Sequence, residues 1–127
     1  MTPPAQIEMP LDARAAGLAR RFLRDRLCEE HHASVEDEAE LLVSELVGNG
    51  VRHGAPPIVL GVSCEGELGM QVSVRDGDPN PPSPRSADEG AESGRGFALV
   101  DLISDAWGVR PEDDGKAVWF RLDSSRA

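Results

Sequence analysis

Two stretches of alternation constrain this chain more than anything else in it. Leu68, Met70, Val72 and Val74 alternate with Gly69, Gln71, Ser73 and Arg75, and Val118, Phe120 and Leu122 alternate with Ala117, Trp119 and Arg121. Period two is the mark of a strand with one buried and one wet face. Each stretch follows a short turn and another run of strand character. Ile58 to Cys64 precedes the turn Glu65-Gly66-Glu67, and Trp107 to Arg110 precedes the turn Glu112-Asp113-Asp114-Gly115. Strands joined by such short turns pair antiparallel, because a parallel partner needs a crossover of roughly a dozen residues or more.

The rest of the chain carries helical periods. Leu11, Ala15, Leu18, Ala19, Phe22, Leu23 and Leu27 share one face of a helix, by the i, i+3, i+4 rule. Arg14, Arg20, Arg21 and Arg24 lie on the other face, which is either solvated or a docking face for an acidic partner or phosphate. Ser34 opens a second helix with Asp37 three residues on, close to a capping box, and Glu36, Asp37 and Glu38 suit the positive end of the helix dipole. That helix is expected to run to about Arg52 and to stop near Gly54-Ala55-Pro56-Pro57, as glycine and proline require. Helical spacing returns at Leu99, Leu102, Ile103 and Ala106. Residues 1–10 are a Pro-rich lead-in, an edge strand or loose. Residues 76–94 form the longest irregular segment, with Pro79, Pro81, Pro82 and Pro84; loops of that length are functional lids or disordered. The order helix, helix, strand, strand, loop, helix, strand, strand predicts one α+β domain over residues 1–127, a two-layer sandwich with a mostly antiparallel sheet and helices on one face.

Composition narrows the partners. A chain of 127 residues with 39% hydrophobic and 28% charged residues fits one globular core. The formal net charge of −10 argues against direct binding of nucleic acid or an anionic membrane, both of which want basic patches, and favours basic protein partners. No apolar run is long enough to span a membrane, and Met1-Thr2-Pro3-Pro4 opens no signal peptide. Cys28 and Cys64 show no CxxC spacing, which fits a reduced, cytoplasmic setting. Lys116 is the only lysine among 13 basic residues, through either base composition or a role at a site.

Three stretches carry candidate chemistry. In Glu45-Leu46-Val47-Gly48-Asn49-Gly50-Val51-Arg52-His53, successive turns of helix gather Glu45, Asn49 and Arg52 on one side, with His53 at the margin. An ionised Glu45 could orient water or accept a hydroxyl proton, and the neutral oxygen of Asn49 suits Mg²⁺, a hard cation. Gly48 and Gly50 weaken the helix and make sense where a ligand or neighbouring element approaches the backbone. At Val74-Arg75-Asp76-Gly77, an Asp at a strand end can accept a hydrogen bond from an exocyclic amine such as that of adenine, or simply make an Asp-Gly turn. At Gly94-Arg95-Gly96-Phe97, glycines leading into a helix free N–H groups to face an anion, or act as a hinge. No Walker motif and no strand-borne G-x-G-x-x-G is present, which excludes P-loop and Rossmann readings. His31, His32 and His53 match no standard metal spacing, and Trp107 and Trp119 read as core or sheet-face packing.

In this order and spacing the stretches resemble the GHKL (Bergerat-fold) ATPases and, within them, the bacterial anti-sigma-factor serine kinases. Glu45-Leu46-Val47-x-Asn49-x-x-x-His53 resembles that family's N box, Val74-x-Asp76 its G1 box, and Gly94-Arg95-Gly96-x-x-Leu99-Val100 its G2 box. Trp107-Gly108-Val109 and Gly115-Lys116-x-Val118-Trp119 resemble the closing hairpin of actinobacterial members. The resemblance implies Glu45 as general base, Asn49 as ligand to Mg²⁺ bridging the ATP phosphates, and Asp76 as reader of the adenine amine with Gly77 leaving room for the ring. Gly94, Arg95 and Gly96 would cap the phosphates, residues 78–93 would form the lid, and His53, Phe97 and Lys116 would complete the nucleotide contacts. It further implies phosphoryl transfer to a serine of an anti-anti-sigma (STAS-domain) protein, sequestration of a sigma factor, and a homodimer. The alternative is a non-catalytic module of the same fold that acts by sequestering a partner alone. The chain departs from the family in three places: Asp76-Gly77-Asp78-Pro79-Asn80 replaces the fuller D-x-G-x-G, Gly50 replaces the usual Ala, and Lys116-Ala117 stands where a Thr or Ser is common.

Overall fold

The computed structural model describes residues 5–26, 32–64, 69–78 and 98–123. Five strands form one sheet: β1 (Ala5–Glu8), β2 (Val59–Cys64), β3 (Met70–Asp76), β4 (Ala106–Glu112) and β5 (Gly115–Leu122), in the order β1-β2-β3-β5-β4. Every neighbouring pair is antiparallel. Two helices, α1 (Arg14–Arg26) and α2 (His32–His53), pack on each other and on the sheet, α1 against β2 and α2 against β3 and β5. A further helical run covers 98–103. The expected α+β sandwich with helices on one face of an antiparallel sheet is what the chain forms.

Alternation decides which side chains reach the helices. Leu60, Val74 and Val118 stand opposite one another across β2, β3 and β5, and Val62, Val72 and Phe120 form the next row. All six are buried against Ala39, Leu42, Val43, Leu46 and Val47 of α2 and Ala15, Ala19, Phe22 and Leu23 of α1. Burying a side chain the size of Leu or Val contributes about 1.5–3 kcal/mol, so these rows fix the register: a slip of one residue would turn the polar set inward. On the opposite face Trp119 lies over Gly108, where an added Cβ would come within 3.0 Å of the indole Nε1. Trp107 packs at the core margin and donates its indole N–H to Asp101 Oδ1 at 2.9 Å.

Several element ends fall elsewhere than the periodicity suggests. The lead-in resolves into edge strand β1, paired to β2. Leu11 is 54% exposed, and α1 starts only at Arg14, because Asp12 caps it: Asp12 Oδ1 accepts the Arg14 N–H at 2.9 Å, and the Ala15 N–H donates to the Asp12 carbonyl. The hydrogen-bonded Arg14 side chain holds the Asp12 carboxyl down at about 2. Helix α2 begins at His32, two residues before Ser34. Ala106 belongs to β4 rather than to a helix, since Asp105 N–H already donates to the Arg121 carbonyl and Ala106 pairs with Arg121. Leu102 is 79% exposed, and Val100 is the fully buried residue of that turn. Cys64 is disulfide-bonded, against the expectation of reduced thiols. The arginine face of α1 is largely engaged: Arg20 donates to Ser44 Oγ at 3.0 Å, Arg24 lies 3.6 Å from Glu40, and Arg14 pairs with Asp12. No helix among the described residues is long and apolar enough to cross a membrane. The turn 65–67 and the lid beyond Asp78 lie outside the described residues.

Candidate nucleotide site

The site begins where the apolar rows of the sheet end. Met70, Val72, Val74 and Asp76 share the core-facing side of β3, and Lys116, Val118, Phe120 and Leu122 share it on β5. Asp76 and Lys116 are cross-strand partners in the register, so the first polar row after the core is a carboxylate facing an ammonium. They meet at 3.1 Å with 5% of each residue exposed. Lys116 Nζ also donates to the Asp78 carbonyl at 3.0 Å, and the Asp78 N–H donates to Asp76 Oδ1 at 2.8 Å. A buried ion pair holds only when further hydrogen bonds satisfy its charges, and here they do.

Two close approaches seat this pair. A Cβ at Gly115 would stand 1.9 Å from the Asp76 carbonyl oxygen, so the start of β5 can carry no side chain. A Cβ at Gly54 would stand 2.8 Å from Asp76 Cγ and 2.9 Å from its Oδ2. The Gly54 N–H donates to the Gly50 carbonyl at 2.9 Å, so the end of α2 is pressed against the Asp76 carboxylate. Gly50, one turn earlier, faces Ile58 and Val74, where an added Cβ would make only ordinary van der Waals contact, so the neighbouring elements do not demand a glycine there. Gly77 donates its N–H to the Ala55 carbonyl at 2.7 Å, and its missing side chain faces the Pro56 backbone.

The helix supplies the other side of the site. Asn49 is 7% exposed; its Oδ1 accepts from Arg52 Nη2 at 3.1 Å, and its Nδ2 is buried without a partner among the described residues. An orphaned buried donor costs about 1–3 kcal/mol, a cost that an arriving acceptor would remove. Glu45 is half-buried one turn earlier, and Arg52 and His53 are exposed in the last turn. A cleft of about 360 Å³ opens beside Asp76, lined by Pro57, Arg75, Gly77 and the 112–115 turn. A larger cleft, of about 780 Å³ between β1 and α1, contains none of these residues.

The structure thus brings Asp76, Gly77 and Lys116 to the end of the helix that carries Glu45, Asn49 and His53. Gly94, Arg95, Gly96 and Phe97 lie outside the described residues. Two participants were missed. Arg52, already on the face of Glu45 and Asn49, holds the Asn49 oxygen, and Gly54, read only as a helix stop, makes room for Asp76. No group of three His, Cys, Asp or Glu residues able to hold a metal occurs among the described residues. A Mg²⁺ site would therefore rest on Asn49 together with phosphate oxygens and water. Asn49 fits that role once Arg52, an exposed side chain suited to phosphate, leaves Oδ1.

Residues 9–122 match the histidine kinase-like ATPase domain family, and the chain belongs to that family. Membership implies ATP binding. The fold is similar to that of the RsbU and RsbW domains of a Mycobacterium tuberculosis protein, with 20% identity and a TM-score of 0.63, covering 96% of this chain and 32% of that one. It is also similar to the histidine kinase domain of a blue-light activated histidine kinase from Erythrobacter litoralis, with 22% identity and a TM-score of 0.53, covering 72% of this chain and 46% of that one. The chain thus spans less than half the length of either. No curated protein matches it.

Proposed function

We propose that the chain is a Mg·ATP-dependent serine kinase that phosphorylates an anti-anti-sigma (STAS-domain) protein and, as a homodimer, sequesters a sigma factor. The observation that carries the reading is the meeting of the α2 end with the β3 end, where Gly54 lies against the Asp76 carboxylate. It puts the Asp76 carboxylate against the C-terminal end of the helix that carries Glu45 and Asn49, and in this reading that carboxylate would accept from the base amine. Phosphoryl transfer asks a protein mainly for positioning and charge neutralisation. Glu45 would orient the serine hydroxyl and take its proton. Asn49 Nδ2, now unpartnered, would donate to a phosphate oxygen, and Arg52 would turn from Asn49 to the phosphates. Asn49 Oδ1 would then be free for Mg²⁺, which supplies charge neutralisation when bound. Residues 78–93 would close over the nucleotide, with Gly94, Arg95 and Gly96 capping the phosphates.

One observation favours a second reading, a non-catalytic module that sequesters its partner alone: Asp76 Oδ1 is already taken by Lys116 and by the Asp78 N–H. Titration with Mg·ATP, followed by incubation with labelled ATP and STAS-domain partners, separates the two. Binding with serine phosphorylation supports the kinase, binding without transfer supports the sequestering module, and no binding at millimolar ATP removes the kinase. Asp76→Asn is expected to weaken ATP more than other nucleotides, and an unchanged base preference would remove the adenine role from Asp76.

A further inference from the structure

We propose that Leu41 is the anchor on which the phosphoacceptor protein docks, and that this partner presents an apolar side chain, flanked by basic ones, about one helical turn from its acceptor serine. The proposal rests on the kinase reading above. Leu41, Glu45, Gly48 and Arg52 follow one another at i, i+4, i+7 and i+11 along α2, so they form a single stripe. That stripe is the open side of the helix. Leu41 and Arg52 are exposed and Glu45 and Gly48 half-buried, whereas Ala39, Leu42, Val43, Leu46 and Val47 are buried in the core.

An exposed leucine alone means little. Leu11, Leu41, Leu102 and Val109 are the exposed large apolar side chains among the described residues, and Leu41 is the one that shares a helix face with Glu45. Its place on the helix sets it about 6 Å from Glu45 along the axis. A serine that hands its proton to Glu45 has to approach along the open side of the helix, which lays the surface around that serine on Leu41. The protein substrate thus covers an apolar group that otherwise stays in water. The charges choose the partner. On a helix surface a residue's neighbours stand three and four positions away. For Leu41 they are Asp37, Glu38, Ser44 and Glu45, all carboxylates except for a hydroxyl that accepts from Arg20 at 3.0 Å. Arg24, also on α1, lies 3.6 Å from Glu40. The rim of Leu41 is therefore acidic, in a chain of net charge −10, and it draws a basic surface. A second copy of this chain would set acid against acid.

The test measures steady-state phosphorylation of a STAS-domain protein that the wild-type chain phosphorylates, using the full chain and its Leu41→Gln, Leu41→Met and Asp37→Lys variants, with Mg·ATP titration of each. Leu41→Gln is expected to raise KM for the protein substrate about tenfold, the order of one lost apolar contact, while kcat and ATP affinity stay within about twofold. Leu41→Met keeps KM within about threefold of the wild type. Asp37→Lys raises KM about threefold or more at low salt and less at high salt. An unchanged KM in Leu41→Gln or in Asp37→Lys overturns this proposal and leaves the kinase reading standing. So does a Leu41→Gln chain that turns from dimer to monomer, which would make the stripe a contact between copies. If no STAS-domain protein is phosphorylated by the wild-type chain, both fall. If Leu41→Gln fails to fold, Asp37→Lys decides.

Discussion

The two arms of the site are built in opposite ways. On the strand arm, Asp76, Lys116 and Asp78 are tied by mutual hydrogen bonds, with Asp76 and Lys116 buried and held by a Gly115 that accepts no side chain. On the helix arm, among the described residues, Asn49 keeps a buried amide without a partner, its oxygen is held by an exposed arginine, and Glu45 stands half-buried. One arm is complete before any ligand arrives and belongs to the stability of the sheet. The other carries an unmet demand that a ligand can answer. In the proposed reading, such a site would recognise through its rigid part and respond through its unfinished part.

The largest expected effect breaks the comparison directly. Lys116→Met leaves a buried carboxylate without its counter-ion and is expected to cost about 3–5 kcal/mol in urea unfolding. Asn49→Ala removes an orphaned donor and is expected to change stability by less than about 1 kcal/mol. Equal losses would erase the distinction between the arms. Next, Glu45→Gln is expected to slow serine phosphorylation by about a hundredfold or more, while ATP affinity stays within about threefold, because a proton-accepting carboxylate acts on the transition state rather than on binding. Loss of binding instead would move Glu45 to the recognising part. Asn49→Ala is then expected to weaken Mg·ATP about tenfold, one hydrogen bond's worth, with the melting temperature unchanged. The smallest effect lies outside both arms. The Asp12 carboxyl is held down at about 2, below the usual carboxylate range, by hydrogen bonds from the Arg14 side chain and backbone. A depressed carboxyl supports the fold above its unfolded value and loses that support as pH falls through the folded one. NMR titration should place its midpoint near 2 in the native chain and higher in Arg14→Ala, which loses the side-chain hydrogen bonds but keeps the backbone N–H that donates to Asp12 Oδ1.

The difference between the arms also explains what could be read from the sequence. Parity alone places Asp76 with Met70, Val72 and Val74, and Lys116 with Val118, Phe120 and Leu122, so both were bound for the buried face. That they face each other depends on the register of two strands 40 residues apart, which no local pattern carries. The helix arm is local, and the spacing of Glu45, Asn49 and Arg52 brought it out, although not the hydrogen bond from Arg52 to Asn49. Gly54 looked like a helix stop because its other task, giving space to Asp76, depends on a strand two elements away. The start of α1 was misjudged by the apolar rhythm at Leu11, since a capping carboxylate outweighs one hydrophobic position at a helix end. The family's motifs singled out Asp76 as a candidate, and the tertiary pairing shows that Lys116 and the Asp78 N–H occupy one oxygen of that aspartate.

A single lysine buried to 5% exposure gives the molecule a built-in reporter. Amine-selective reagents will find only the chain's terminal amine while the strand arm is closed. Acylation of Lys116 then measures how often β3 and β5 part at their site end, so the opening of the pocket can be timed by mass spectrometry in the unmodified chain.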